Sequence, residues 1–277
     1  MKLTKAEVYY PSTRKNKTIK YLCFAAHQDD VEIMAFDGIL KGYLSKAYSF
    51  AAVVTTDGGG SVRTGEYKDY TDDMMKKVRI DEQKQASEIG KYEVLYLLNY
   101  SSKEVKNPDT ESLIDDYVEI LKEIKPQVVY THNLLDKHDT HVAVAIKVIK
   151  AIRRLPKELR PKVVYGCEVW RDLDWVNPEM KIEFNVTKKP KLAKDILNVF
   201  KSQIAGGKRY DLATTGRRLA NATYAQSHSV DNAKRVSVAI DLTPLIVNPN
   251  LSLKQYVLSY IDGFKNTVNS QYEKLGE

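Results

Sequence analysis

Residues 21–32 read YLCFAAHQDDVE. An apolar run, Tyr21–Ala25, breaks off directly into a histidine and two adjacent aspartates. A short, near-continuous apolar run fits a strand buried on both faces of a parallel sheet. Ionisable groups set immediately beyond such a strand lie at the sheet edge where α/β proteins bind ligands.

Working outward, similar β-rich runs recur at Ile19–Ala25, Tyr48–Thr55, Val94–Leu98, Gln127–Thr131 and Lys162–Tyr165. Helical periods separate them. Thr71–Ile89 carries Met74, Met75, Val78, Ala86 and Ile89 on one stripe, with Asp72 and Asp73 in the first turn and Gly90 as a stop. Asp109–Ile124 and Val142–Arg153 repeat the pattern, each ending ahead of a proline. Strands alternating with helices imply right-handed crossovers. The expected fold is therefore a Rossmann-like, doubly wound α/β fold, with a mainly parallel sheet and helices on both faces. Beyond residue 180 one further strand, Lys181–Val186, precedes a mainly helical stretch, whose last stripe is Tyr256, Val257, Tyr260, Ile261 and Phe264. One domain over 1–277 is expected, with a core at about 18–205 and a C-terminal extension at about 206–277.

Composition narrows the class. Of 277 residues 43% are hydrophobic and 29% charged, ordinary for a globular chain rather than a disordered one. The net charge of +7 is spread along the chain, without the dense basic stripe of a nucleic-acid binder. No apolar run approaches the roughly 20 residues of a membrane span. The opening Met1-Lys-Leu-Thr-Lys-Ala-Glu has no apolar leader region, and Cys23 and Cys167 sit in strand-like runs that suit packing. A cytoplasmic protein is the expectation, with a homo-oligomer left open.

Three of the five histidines, His132, His138 and His141, fall in one short segment, THNLLDKHDTH. It leaves the fourth run for a helix, as AHQDD leaves the first. In a doubly wound order 3-2-1-4-5 those two strands are neighbours, and their carboxyl ends form the ligand crevice. His27 and Asp30 can then face a common atom, with His141 approaching from the other side. Two imidazoles and a carboxylate with an open position make a catalytic zinc set. Asp29 stands beside it, able to take a proton from water. Each residue alone has a plainer reading: Asp29 or Asp30 as a helix cap, His141 as an ordinary first-turn residue.

AHQDDVE together with DKHDTHVAVA resembles the PIG-L/LmbE-like family of zinc-dependent de-N-acetylases, and TTDGGG, VRIDEQKQASEIG and FKSQI extend the likeness over most of residues 20–205. The resemblance implies that His27, Asp30 and His141 hold Zn2+ or another divalent ion and that Asp29 is the general base. It makes His138 an imidazole that stabilises the oxyanion or protonates the amine, and Arg79 a substrate-holding arginine. The implied reaction is removal of an N-acetyl group from an N-acetylglucosamine-type small molecule or short glycan. Gln28 replaces the family's usual proline, which should loosen the turn. Thr140 stands where the family has an aspartate that orients the assisting histidine, leaving Asp136 or Asp139 to do so.

Trp170 and Trp175 lie just past the fifth run and either stack on a sugar or fill the core. AGGKRYD, residues 205–211, offers Lys208 and Arg209 to an anionic group, or is a solvated turn. Two other functions compete. A non-catalytic metal- or carbohydrate-binding protein would leave Asp29 without a task. A nucleotide-binding Rossmann protein fits poorly, since Gly58-Gly59-Gly60 follows the second strand and opens no helix.

Overall fold

The structure, a computed structural model, describes residues 2–277. The eight strands are β1 (Glu7–Tyr9), β2 (Thr18–Ala25), β3 (Tyr48–Thr56), β4 (Leu95–Tyr100), β5 (Val128–His132), β6 (Val163–Cys167), β7 (Lys181–Asn185) and β8 (Val236–Asp241). They form one sheet in the order β1-β4-β3-β2-β5-β6-β8-β7. The five central strands are parallel, and β4-β3-β2-β5-β6 is the 3-2-1-4-5 order expected of the five apolar runs. Residues such as Leu22, Cys23, Phe24 and Val53 have no solvent exposure, as a sheet covered on both faces requires.

Two additions lie outside the expected set. The three-residue β1 pairs antiparallel with β4 and caps that edge. At the other edge β8, contributed by the mainly helical 206–277 stretch, inserts antiparallel between β6 and β7. Leu113, Tyr117, Leu121, Val144 and Val148 of helices Glu111–Ile124 and Asp139–Arg154 fill the core on one face of the sheet. Helices Phe36–Leu44 and Pro190–Leu197 supply Phe36, Ile39, Leu192 and Ile196 to the other.

Helix Asp72–Gly90 lies one residue later at each end than expected: Thr71 is its cap, accepting Met74 N–H, and Gly90 is its last residue, with left-handed Lys91 ending it. Its inward face differs from the expected stripe. Met74 and Ile89 are exposed, and the buried set is Met75, Arg79, Glu82, Gln83, Ala86, Ser87 and Gly90. The helix buries polar groups because it is pressed against the site rather than against the core alone. Cys23 and Cys167 are both buried free thiols. Among the described residues no helix is long and apolar enough to cross a membrane.

Candidate metal centre and cavity

The topology places the site. β2 is flanked by β3 on one side and β5 on the other, so chain leaves their carboxyl ends in opposite directions and a crevice opens between them. His27 follows β2, Asp30 opens helix Asp30–Met34, and His141 lies in the first turn of Asp139–Arg154 after β5.

Three lone-pair atoms converge there. His27 Nδ1 lies 3.2 Å from Asp30 Oδ2 and 3.2 Å from His141 Nε2, and the last two are 3.3 Å apart. A tetrahedral zinc with bonds of about 2.0–2.1 Å needs ligand–ligand edges of roughly 3.3–3.4 Å. The triangle matches one face of that tetrahedron, so the residues present fit the ion. His27 also anchors the turn, its backbone N–H donating to Asp30 Oδ2 at 2.7 Å.

Electrostatics support the same centre. Burial alone would raise Asp30, but the imidazoles of His141 and His132 around it hold it well below the usual carboxylate range. Burial pulls His141 down, yet Asp30 and Asp136 on its two sides raise it to about 9. Asp136 Oδ2 is 3.4 Å from His141 Nδ1, which keeps that proton on Nδ1 and leaves Nε2 free to ligate.

His132, left without a role by sequence reasoning, is wholly buried and stacks on His141 at 3.9 Å. Two groupings lie within ligand range, His27 with His138 and His141, and Asp30 with His132 and His141. His132 Nε2, however, accepts the Ala26 N–H at 2.9 Å, so its lone pair is already engaged. It walls the centre rather than completing it.

Asp29 has a buried backbone at φ +89°, an uncommon conformation for a residue with a side chain. Two residues hold it there. Gln83 Oε1 accepts its N–H at 3.2 Å, Arg79 Nη2 donates to its Oδ2 at 3.2 Å, and Gln83 Nε2 donates in turn to Glu32, which Tyr92 also bonds. Burial raises the Asp29 pKa well above its ordinary value, against the pull of Arg79. Burial also pushes Glu32 up to about 7, despite the Tyr92 and Gln83 bonds. Gln83, Glu32 and Tyr92 were not foreseen; the only sequence sign was a polar face on an otherwise periodic helix.

Several expectations need correction. Arg79 is 5% exposed in the cavity lining, and its amino groups bond Asp29, the Gln28 carbonyl and Ser61 Oγ, so it holds Asp29 in place. Gln28 ties the turn rather than loosening it: wholly buried, its amide donates to the Thr56 carbonyl at 3.1 Å. Gly58, at φ +74°, leaves room for it, because a Cβ there would sit 2.6 Å from Gln28 Oε1. Asp136 touches His138 only through its backbone N–H, and Asp139 is exposed. His138 Nδ1 is buried without a partner, and burial lowers the ring's pKa. Arg209 is spent on Asp211 through two hydrogen bonds. Trp175 packs edge-on against Phe264, away from the site.

A cavity of about 730 Å³ opens over the centre. His27, Asp29, Asp30, Arg79 and His138 line its floor, with His138 stacked 4.5 Å from His141. Trp170 forms a wall with Tyr210, ring centroids 6.1 Å apart, and Lys208 Nζ lies 5.0 Å over the indole. Lys106, Lys137 and Arg217 also line it, and neither they nor Lys208 have a carboxylate within ion-pair distance among the described residues. Glu82 accepts from Ser202 N–H and Oγ, both at 2.7 Å, which fastens FKSQI and the neighbouring Gln203 of the lining to helix Asp72–Gly90.

Residues 22–152 match the model of the PIG-L family, described as GlcNAc-PI de-N-acetylase, and these residues include both histidine motifs. No curated protein sequence matches the chain. Among solved structures, N,N'-diacetylchitobiose deacetylase from Pyrococcus horikoshii is similar with a TM-score of 0.65 at 15% identity, covering 87% of this chain and 89% of that one. GalB, the 4-carboxy-2-hydroxymuconate hydratase from Pseudomonas putida KT2440, scores 0.59 at 17% identity, covering 84% and 100%. The A40926 pseudoaglycone deacetylase Dbv21 scores 0.59 at 11% identity, covering 82% and 97%. At these identities the likeness establishes the fold, and that fold carries both deacetylases and a hydratase. The family resemblance of the two histidine motifs is borne out.

Proposed function

We propose that this chain, which carries the PIG-L family pattern over residues 22–152, is a divalent-metal-dependent amide hydrolase that removes an N-acetyl group from an amino-sugar substrate. The observation that carries this reading is the triangle of His27 Nδ1, Asp30 Oδ2 and His141 Nε2 with Asp29 next to it. Zinc or another divalent ion held there supplies Lewis acidity and makes water acidic enough to react near neutral pH.

The protein's own groups do the rest. Asp29 takes the proton from the attacking water, and its raised proton affinity suits a base that later returns the proton to the leaving amine. Arg79 keeps its carboxylate aimed, and Gln83 holds its backbone N–H. His138, with a lowered pKa, acts as a neutral imidazole whose N–H stabilises charge growing on the carbonyl oxygen. The Trp170–Tyr210 wall presents aromatic surface to a sugar ring, and the unpaired lysines favour an anionic substituent on it. We read the chain as one domain, because β8 from the 206–277 stretch completes the sheet that bears the site.

The hydratase of the same fold makes the reaction class the point to test. Purified protein should release acetate from N-acetylglucosamine derivatives, stop after chelation and resume when zinc is returned. Turnover that continues after chelation, or addition of water without acetate release, overturns the reading.

A further inference from the structure

Helix Leu253–Leu275 starts on the body of the protein and then leaves it. Tyr260 is buried, the Tyr256 hydroxyl donates to the Asp241 carbonyl, and Thr267 Oγ1 donates to Asn177 at 3.0 Å. From Phe264 to Glu277 every residue is exposed. Asn266, Thr267, Val268, Asn269 and Ser270 are weak helix formers, and an isolated helix shorter than about 12–15 residues is marginal in water. The projecting segment has neither the propensity nor the internal packing to hold itself.

It has a seam instead. Leu258, Ile261, Lys265, Val268, Tyr272 and Leu275 recur at alternating steps of three and four, the a and d positions of consecutive heptads. The five apolar members are 42%, 44%, 36%, 58% and 75% exposed. We propose that this seam pairs with the same seam of a second copy, as an antiparallel two-stranded coiled coil.

Lys265 selects the direction. A parallel, in-register pair would set it against its own copy inside the seam. Antiparallel pairing about the seam's midpoint sets it beside Val268 of the second copy, where its stem packs and its ammonium reaches water. The seam offers roughly 500 Å² per copy and about 1,000 Å² for the pair, where specific interfaces begin. A membrane surface is a poorer occupant, since helices that lie in bilayers carry a strongly basic polar face and this one is balanced.

The test is sedimentation equilibrium of the full chain over the micromolar range, beside the double variant Val268→Glu/Leu275→Glu. Both positions are exposed, so the variant should keep the wild-type near-ultraviolet spectrum and metal content. Wild type should be dimeric and the variant monomeric, with lower helical content. A wild-type monomer at high micromolar concentration, a dimer unaffected by the two substitutions, or a monomer that binds anionic vesicles would each overturn the proposal.

Discussion

Asp136 Oδ2 lies 3.4 Å from His141 Nδ1, while the ring of His138 has no carboxylate partner. The acid expected to orient the assisting histidine therefore orients His141, the proposed metal ligand. Asp136→Asn should weaken zinc affinity roughly 10–100-fold, the usual effect of losing such a supporting carboxylate. Competition with a coloured chelator measures this. Unchanged affinity would mean that the His141 tautomer is set elsewhere.

Arg79 controls Asp29, so the conservative Arg79→Lys should retain metal and lose about 10²-fold in rate through misplacement of the base. The sign of the pH effect follows from the pair. Arg79 pulls the Asp29 pKa down, so a poorer partner lets it rise, and the acidic limb of kcat/KM should move to higher pH. A limb that stays in place would separate Asp29 from the rate-determining proton transfer.

His141 binds its proton more tightly folded than unfolded, with a value of about 9 in the metal-free protein. Its contribution to metal-free stability is full below about pH 6.5 and is lost as pH rises through 9. Zinc must displace that proton, so affinity should climb with pH up to about 9 and binding should release protons near neutrality. Calorimetry in buffers of different ionisation enthalpy counts them, and no release would contradict a protonated His141.

Lys208→Gln tests the unpaired charges of the cavity. KM for an N-acetylglucosamine derivative with an anionic substituent should rise roughly two- to fivefold, in line with one partly exposed charge contact. A neutral analogue should be nearly unaffected. Equal effects on both would assign Lys208 to its contact with Trp170.

The central sheet was legible because buried parallel strands announce themselves as continuous apolar runs, and the strand order then brought His27, Asp30 and His141 together. Short β1 and the antiparallel insertion of β8 were not, since nothing local in Glu7–Tyr9 or Val236–Asp241 names a distant pairing partner. The inward face of helix Asp72–Gly90 was misread for a physical reason. Apolar periodicity points to the core, while Arg79, Glu82 and Gln83 face inward to hold Asp29 and Ser202. Which ring Asp136 meets depends on the path of one loop, and spacing alone does not carry that.

The claim on which the rest depends is that His27, Asp30 and His141 form one metal site. The direct measurement is zinc per chain after equilibrium dialysis of wild type, His27→Ala and His141→Ala. Wild type should hold about one ion, as a three-ligand site with an open position predicts, and each variant should lose most of it. Full retention of zinc by both variants would contradict the assignment.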